Sequence, residues 1–159
     1  HIYRKPGDML PVNITGATCV LSDDVLKKFL PKRQQISQCE LFTAYVLIAN
    51  EAHVIQGADV IWYIDNMSAV MALIKGASAK TDLSAIAVAL HAVFARLGVR
   101  VWVEYIETAS NPSDGLSRAG LEDAGICPHG FCLSGFHRIN CDCRAALMPL
   151  SGAAVFDAS

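Results

Sequence analysis

Five consecutive apolar residues, Val60 to Ile64, run directly into Asp65-Asn66 and then into the helix-like string MSAVMALIKG. A short unbroken run rich in β-branched and aromatic side chains predicts a strand covered on both faces, more a sheet centre than an edge. Such a strand is stable only between layers of helix, so this one stretch already points to an α/β domain. It also poses a chemical problem, because a strand built for burial ends on a carboxylate.

The flanking sequence supplies the layers. Residues 1 to 20 carry Ile2 and Tyr3, a Pro-Gly-Asp turn at 6–8, then Val12, Ile14, Thr15 and Thr18 to Leu21, which predicts a β-rich hairpin. Ser22-Asp23-Asp24 starts a short helix that Pro31 ends. From Gln38 to about Val54, Leu41, Ala44, Tyr45, Ile48 and Ala52 follow helical spacing, with Glu40 placed in the first turn and Gly57 as the stop. Asp65 and Asn66 open a helix that Lys75-Gly76 closes. Lys80-Thr81-Asp82 leads a longer one, with Leu83, Ile86, Ala87, Leu90, Phe94 and Leu97 on one face and Gly98 as its cap. Val99 to Ile106 alternates, setting Val99, Val101, Val103 and Tyr105 against Arg100, Trp102 and Glu104, as in a strand with one buried face. Asn111-Pro112-Ser113-Asp114 is a further helix start, with proline at the first helical position. Beyond Ala119 no period is sustained, and no internal repeat is present. The expected organisation is an α/β domain with a mixed sheet over residues 1–120 and a Cys-rich tail over 121–159.

With 159 residues, of which 53% are hydrophobic and 18% charged, the chain can bury a core of single-domain size. A formal charge of −2 and a pI near 6.2 supply no general basic field, so a polyanion would have to be held by a local patch or by bound cations. The start, HIYRKPGDML, has no signal-peptide character and no initiator Met, so the chain is expected to begin inside a longer protein. The most apolar helical stretch, Ala85 to Ala95, is interrupted by His91 and closed by Arg96, short of a bilayer span. An intracellular protein without a membrane segment is expected, with its six cysteines reduced.

Glu40, Asp65 and Asp114 all fall where one element hands over to another. Ligand sites in α/β sheets gather at the carboxyl ends of strands. Were the three to converge, each close pair would cost on the order of 1 kcal/mol even in water, so the cluster would call for a cation. A hard divalent ion such as Mg²⁺ suits carboxylate, water and phosphate oxygens. Each acid also has a plainer role open to it. Asp65 or Asn66 serves as a helix N-cap, Glu40 complements a helix dipole, and Asp114 completes a cap begun by Asn111.

Three strings, QQISQCELFTAYVLI (34–48), VIWYIDNMSAVMALIKGAS (60–78) and VWVEYIETASNPSDGLSRAG (101–120), resemble in order and spacing the ribonuclease H domain of retroelement reverse transcriptases. The resemblance implies an RNase H-like fold, a five-stranded mixed sheet flanked by helices. It implies cleavage of the RNA strand of an RNA–DNA hybrid with two Mg²⁺ ions, Mn²⁺ being a substitute, within a larger reverse transcriptase polyprotein. Glu40, Asp65 and Asp114 would be the metal-binding catalytic acids, Asn66 would stand beside the nucleic acid, and Lys75, Ser78 and Arg118 would contact its backbone. The pattern departs from the family at one point. A further catalytic Asp belongs on the first strand, yet no Asp precedes His1-Ile2-Tyr3, and Asp8, Asp23 and Asp24 sit in a turn or a helix start. The chain is therefore expected to be either a fragment lacking its first strand or a decayed copy, and as given to be weak or inactive as a nuclease. A non-catalytic nucleic-acid-binding or structural module of the same fold is the alternative.

The tail spacing Cys127-x4-Cys132-x8-Cys141-x-Cys143, with His129 and His137 between, raises a third possibility, a small zinc-binding interaction protein. It matches no common finger spacing, and free thiols are the plainer reading. His91 is expected to be a packed or partly exposed helix histidine rather than a catalytic base, and Trp62 and Trp102 to lie under helices.

Overall fold

The computed structural model describes residues 15–31, 35–111, 113–114 and 135–138. Its elements in chain order are β1 (Thr15–Thr18), α1 (Asp23–Leu26), α2 (Ile36–Asn50), α3 (Ala52–Ile55), β2 (Asp59–Ile64), α4 (Met67–Lys75), α5 (Thr81–Leu97), β3 (Arg100–Tyr105), a 3-10 turn (Thr108–Ser110) and β4 (Gly135–Arg138). The fold is α/β, with two two-stranded parallel sheets, of which the β2–β3 pair has helices packed against it.

β2 and β3 pair in parallel from Asp59↔Arg100 to Ile64↔Tyr105, and α4 and α5 form the crossover between them. The core lies between this pair and the helices α2, α4 and α5. Leu41, Phe42, Tyr45 and Val46 enter it from α2, Ala69, Val70, Ala72 and Leu73 from α4, and Leu83, Ile86, Ala87, Leu90 and Phe94 from α5. The Trp62 ring meets Phe94 edge to face at 6.2 Å, fastening β2 to α5. Two αL glycines set the helix ends: Gly76 (φ 64°) turns the chain out of α4 and Gly98 (φ 65°) out of α5 into β3.

The sheet departs from expectation in its coverage. Only alternate side chains of β2 face the helices, while Ile61 (46% exposed) and Tyr63 (47%) lie on an open face. A continuous apolar run satisfies either arrangement, since periodicity alone cannot distinguish two covered faces from one. Trp102 shares that open face and is 67% exposed, its Nε1 donating to Glu104 at 2.6 Å, so it does not lie under a helix. Pleat alternation places it with Arg100 and Glu104, and that outweighs the tendency of large aromatics to bury. Tyr105, expected on the inner face, is 43% exposed at the strand end.

β1 has a partner the sequence did not announce. It pairs in parallel with β4, Thr15↔Gly135 through Thr18↔Arg138, and β4 comes from the segment read as an unpatterned tail. The expected hairpin partner in residues 1–14 lies outside the described residues. Cys19, directly after β1, is disulfide-bonded, against the expectation of reduced thiols, and its partner lies outside the described residues. The pairing of β1 with a strand from the Cys-rich segment brings the two regions together, a closeness that sequence order does not reveal. Cys39 keeps a free thiol. No helix among the described residues is long and apolar enough to cross a membrane.

Candidate metal centre

α2 begins at Ile36 rather than Gln38, and this shift matters for Glu40. Glu40 is then past the first turn, where a carboxylate gains little from the helix dipole, so that explanation of its presence falls away. Its carboxyl is instead held in a poor environment for charge. Its pKa is raised from the usual 4.5 to about 7, by burial first and by the neighbouring Asp65 carboxylate second, against an opposing contribution from the Asn66 side chain. One oxygen, Oε2, is buried with no hydrogen-bond partner. Buried polar atoms are nearly always paired, so an orphaned carboxylate oxygen beside a second carboxylate requires a reason.

Asp65 follows the last residue of β2, and the parallel register continues through the bond from Ile106 N–H to Ile64 O. It therefore lies just past the carboxyl end of a parallel pair, the end at which α/β sheets place their ligand sites. Capping of α4 belongs to its neighbour. Asn66 has extended backbone, and its Oδ1 accepts from Ala69 N–H at 3.2 Å, the defining bond of an N-cap. Asp65 is thus not the cap. Asn66 Oδ1 also accepts from the hydroxyl of Ser37 at 3.1 Å, which ties the start of α2 to the start of α4 across 29 residues.

Glu40, Asp65, Asn66 and Ser37 thus form one constellation. Asp114 does not complete a three-acid cluster with them: no group of three or more His, Cys, Asp or Glu among the described residues is close enough to hold a metal ion. At the turn before Asp114, Asn111 Oδ1 accepts from Ser113 N–H at 3.1 Å and from its hydroxyl at 2.7 Å, while Asp114 N–H bonds Asn111 O. Local turn chemistry at the expected helix start is therefore supplied by Asn111 and Ser113.

The nucleic-acid candidates separate. Asn66 is engaged inside the site. Lys75 and Ser78 line a groove together with Ser68, Lys80 and the exposed Met67 and Met71, the first of which follows Asn66 in sequence. Arg118 and the cysteines at 127, 132, 141 and 143 lie outside the described residues. His91 stands exposed on α5, its Nε2 2.8 Å from Leu73 O of α4 and its ring edge-on to Phe94.

The donor set fits a hard divalent cation in part. Mg²⁺ is commonly held by one or two carboxylates with the remaining positions filled by water and substrate phosphate, and Glu40 and Asp65 are such a pair, with one buried Glu40 oxygen left unpartnered. Sequence reasoning missed Ser37. Its only signal was its place three residues before Glu40, on the same helix face. No protein-family model, curated protein or solved structure matches the chain.

Proposed function

We propose that this chain is a ribonuclease H-like module of a reverse transcriptase polyprotein that engages RNA–DNA hybrids through a divalent metal held by Glu40 and Asp65. The observation that carries the reading is the buried, unpartnered Oε2 of Glu40 beside the Asp65 carboxylate. Two acids are brought together at the carboxyl end of a strand, at an energetic disadvantage, and neither is explained by helix capping. By resemblance Asp114 joins them. Mg²⁺, or Mn²⁺ in its place, would supply an activated water and stabilise the leaving oxygen of a phosphodiester. The protein's own part is to hold Glu40 and Asp65 in place, cap α4 with Asn66, and offer Lys75, Lys80 and Ser78 along their groove to a phosphate backbone.

The fact that two acids, not three, gather among the described residues favours a second form of the reading, a module of the same fold that binds hybrid without cutting it. Titration of the ¹⁵N-labelled chain with Mg²⁺ tests the shared site. The amides of Glu40, Asp65 and Asn66 should shift along one binding curve that Asp65→Asn abolishes. Independent or absent shifts refute it. A fluorescent RNA–DNA hybrid then separates the two forms: Mg²⁺-dependent binding with at most weak cleavage is expected from this chain, and robust cleavage lost in Asp65→Asn would establish a working nuclease.

A further inference from the structure

On the face of β2 and β3 turned away from the helices, the parallel register sets exposed side chains in rungs: Asp59 beside Arg100, Ile61 beside Trp102, and Tyr63 beside Glu104. The first rung is closed on itself, because the Arg100 guanidinium donates through Nε and Nη2 to both Asp59 oxygens. The last rung carries a charge that is not answered in this way. Glu104 forms no ion pair among the described residues, and its Oε1 accepts instead from the neutral Trp102 Nε1–H at 2.6 Å. That bond ties the indole along the strand toward the carboxylate. The most exposed aromatic side chain among the described residues and an uncompensated negative charge thus share one surface, with Ile61 adding an apolar neighbour on the Trp102 rung.

The complement of such a surface is a long cationic side chain, apolar along its stem and charged at its tip. Arginine fits it better than lysine. Its planar guanidinium stacks on an indole while donating to a carboxylate, and its methylenes cover an aliphatic neighbour such as Ile61. A phosphate backbone is the wrong complement, since the Arg100 cation on this face is already held by Asp59 and Glu104 repels an anion. We propose that this face docks an arginine-bearing segment of a partner protein, with a guanidinium stacked on Trp102 and hydrogen-bonded to Glu104. The helices, α2 with Glu40 among them, pack on the other side of the sheet, so this surface is independent of the metal reading.

The test titrates the full ¹⁵N-labelled chain with a short arginine–glycine repeat peptide, with the same peptide carrying uncharged citrulline for arginine, and with a thymidine oligonucleotide. The arginine peptide should move the Trp102 indole N–H and the amides of Ile61, Tyr63 and Glu104. The Trp62 indole, on the helix side against Phe94, should stay in place as an internal reference. Glu104→Gln retains an acceptor for the indole but not the charge, and Trp102→Leu retains an apolar side chain but not the ring; each should weaken peptide binding roughly fivefold while leaving the remaining amide spectrum unchanged. Equal shifts with the citrulline peptide, binding unaltered in both variants, or the same resonances moved by the oligonucleotide and not by the peptide would each overturn the proposal.

Discussion

Replacing Glu40 with Gln should stabilise the metal-free protein in alkaline solution and do much less in acid. The carboxyl titrates near 7 when folded against 4.5 ordinarily, which at 1.36 kcal/mol per pH unit corresponds to about 3 kcal/mol. Part of the residue is solvent-exposed, so screening reduces this to about 1–2 kcal/mol. The sign follows from proton binding. Between pH 4.5 and 7 the folded chain holds a proton that the unfolded chain has released, so stability is highest below 4.5, falls as pH rises through 7, and is then level. Gln carries no charge and removes that fall. Urea unfolding at pH 5 and pH 8 should show Glu40→Gln gaining about 1–2 kcal/mol over the wild type on going from acid to alkali. Saturating Mg²⁺ should reverse the ranking at pH 8, because only the wild type keeps the full carboxylate pair. An equal loss of stability at both pH values, with no Mg²⁺ effect, would refute the view that Glu40 is a desolvated acid awaiting a cation.

Asp65→Asn removes the second cause of the Glu40 shift, so the acid-to-alkali fall in stability should shrink but persist, read from the same unfolding series. Asp82 Oδ2 accepts from Leu30 N–H at 3.1 Å and from buried Gln38 Nε2 at 2.9 Å; Asp82→Ala should cost about 2–3 kcal/mol and raise hydrogen exchange at Leu30 first. Gly98→Ala should lower stability by about 1–2 kcal/mol in thermal melts, because αL geometry at φ 65° strains a Cβ although no neighbouring atom crowds it.

The helices were legible where one stripe and two end signals agreed. α5 shows this best: Leu83, Ile86, Leu90 and Phe94 recur at helical spacing, Gly98 ends the run, and all four side chains are buried. The buried set on α2 was less legible. Phe42 and Val46 are as deeply buried as Leu41 and Tyr45, because both α5 and α4 pack on α2 and more than one stripe is covered. Strand coverage was the weakest point. Ile61, Tyr63 and Trp102 could be placed only by knowing what lies above each face of β2 and β3, which is a property of the whole fold rather than of the local pattern. The β1 and β4 pairing spans more than a hundred residues, and two four-residue strands, Thr-Gly-Ala-Thr and Gly-Phe-His-Arg, carry little pattern to announce it.

In the site, sequence order could nominate Glu40 and Asp65 but could not choose between capping and chemistry for either. That choice depended on two local facts. The start of α2 at Ile36 takes Glu40 away from the helix dipole, and the bond from Ala69 N–H assigns the cap to Asn66. Both belong to backbone geometry at element ends, where sequence boundaries are least certain. With capping spoken for, the cost of keeping two carboxylates close is left without a structural return inside the protein, and function is the remaining place for that return to come from. The same reasoning does not extend to Asp114, whose turn is built by Asn111 and Ser113 and which joins no acidic cluster among the described residues. Its inclusion rests on the Asn-Pro-Ser-Asp string alone, so an Asp114→Asn variant that leaves the Mg²⁺ curve of Glu40 and Asp65 unchanged would confine the centre to that pair.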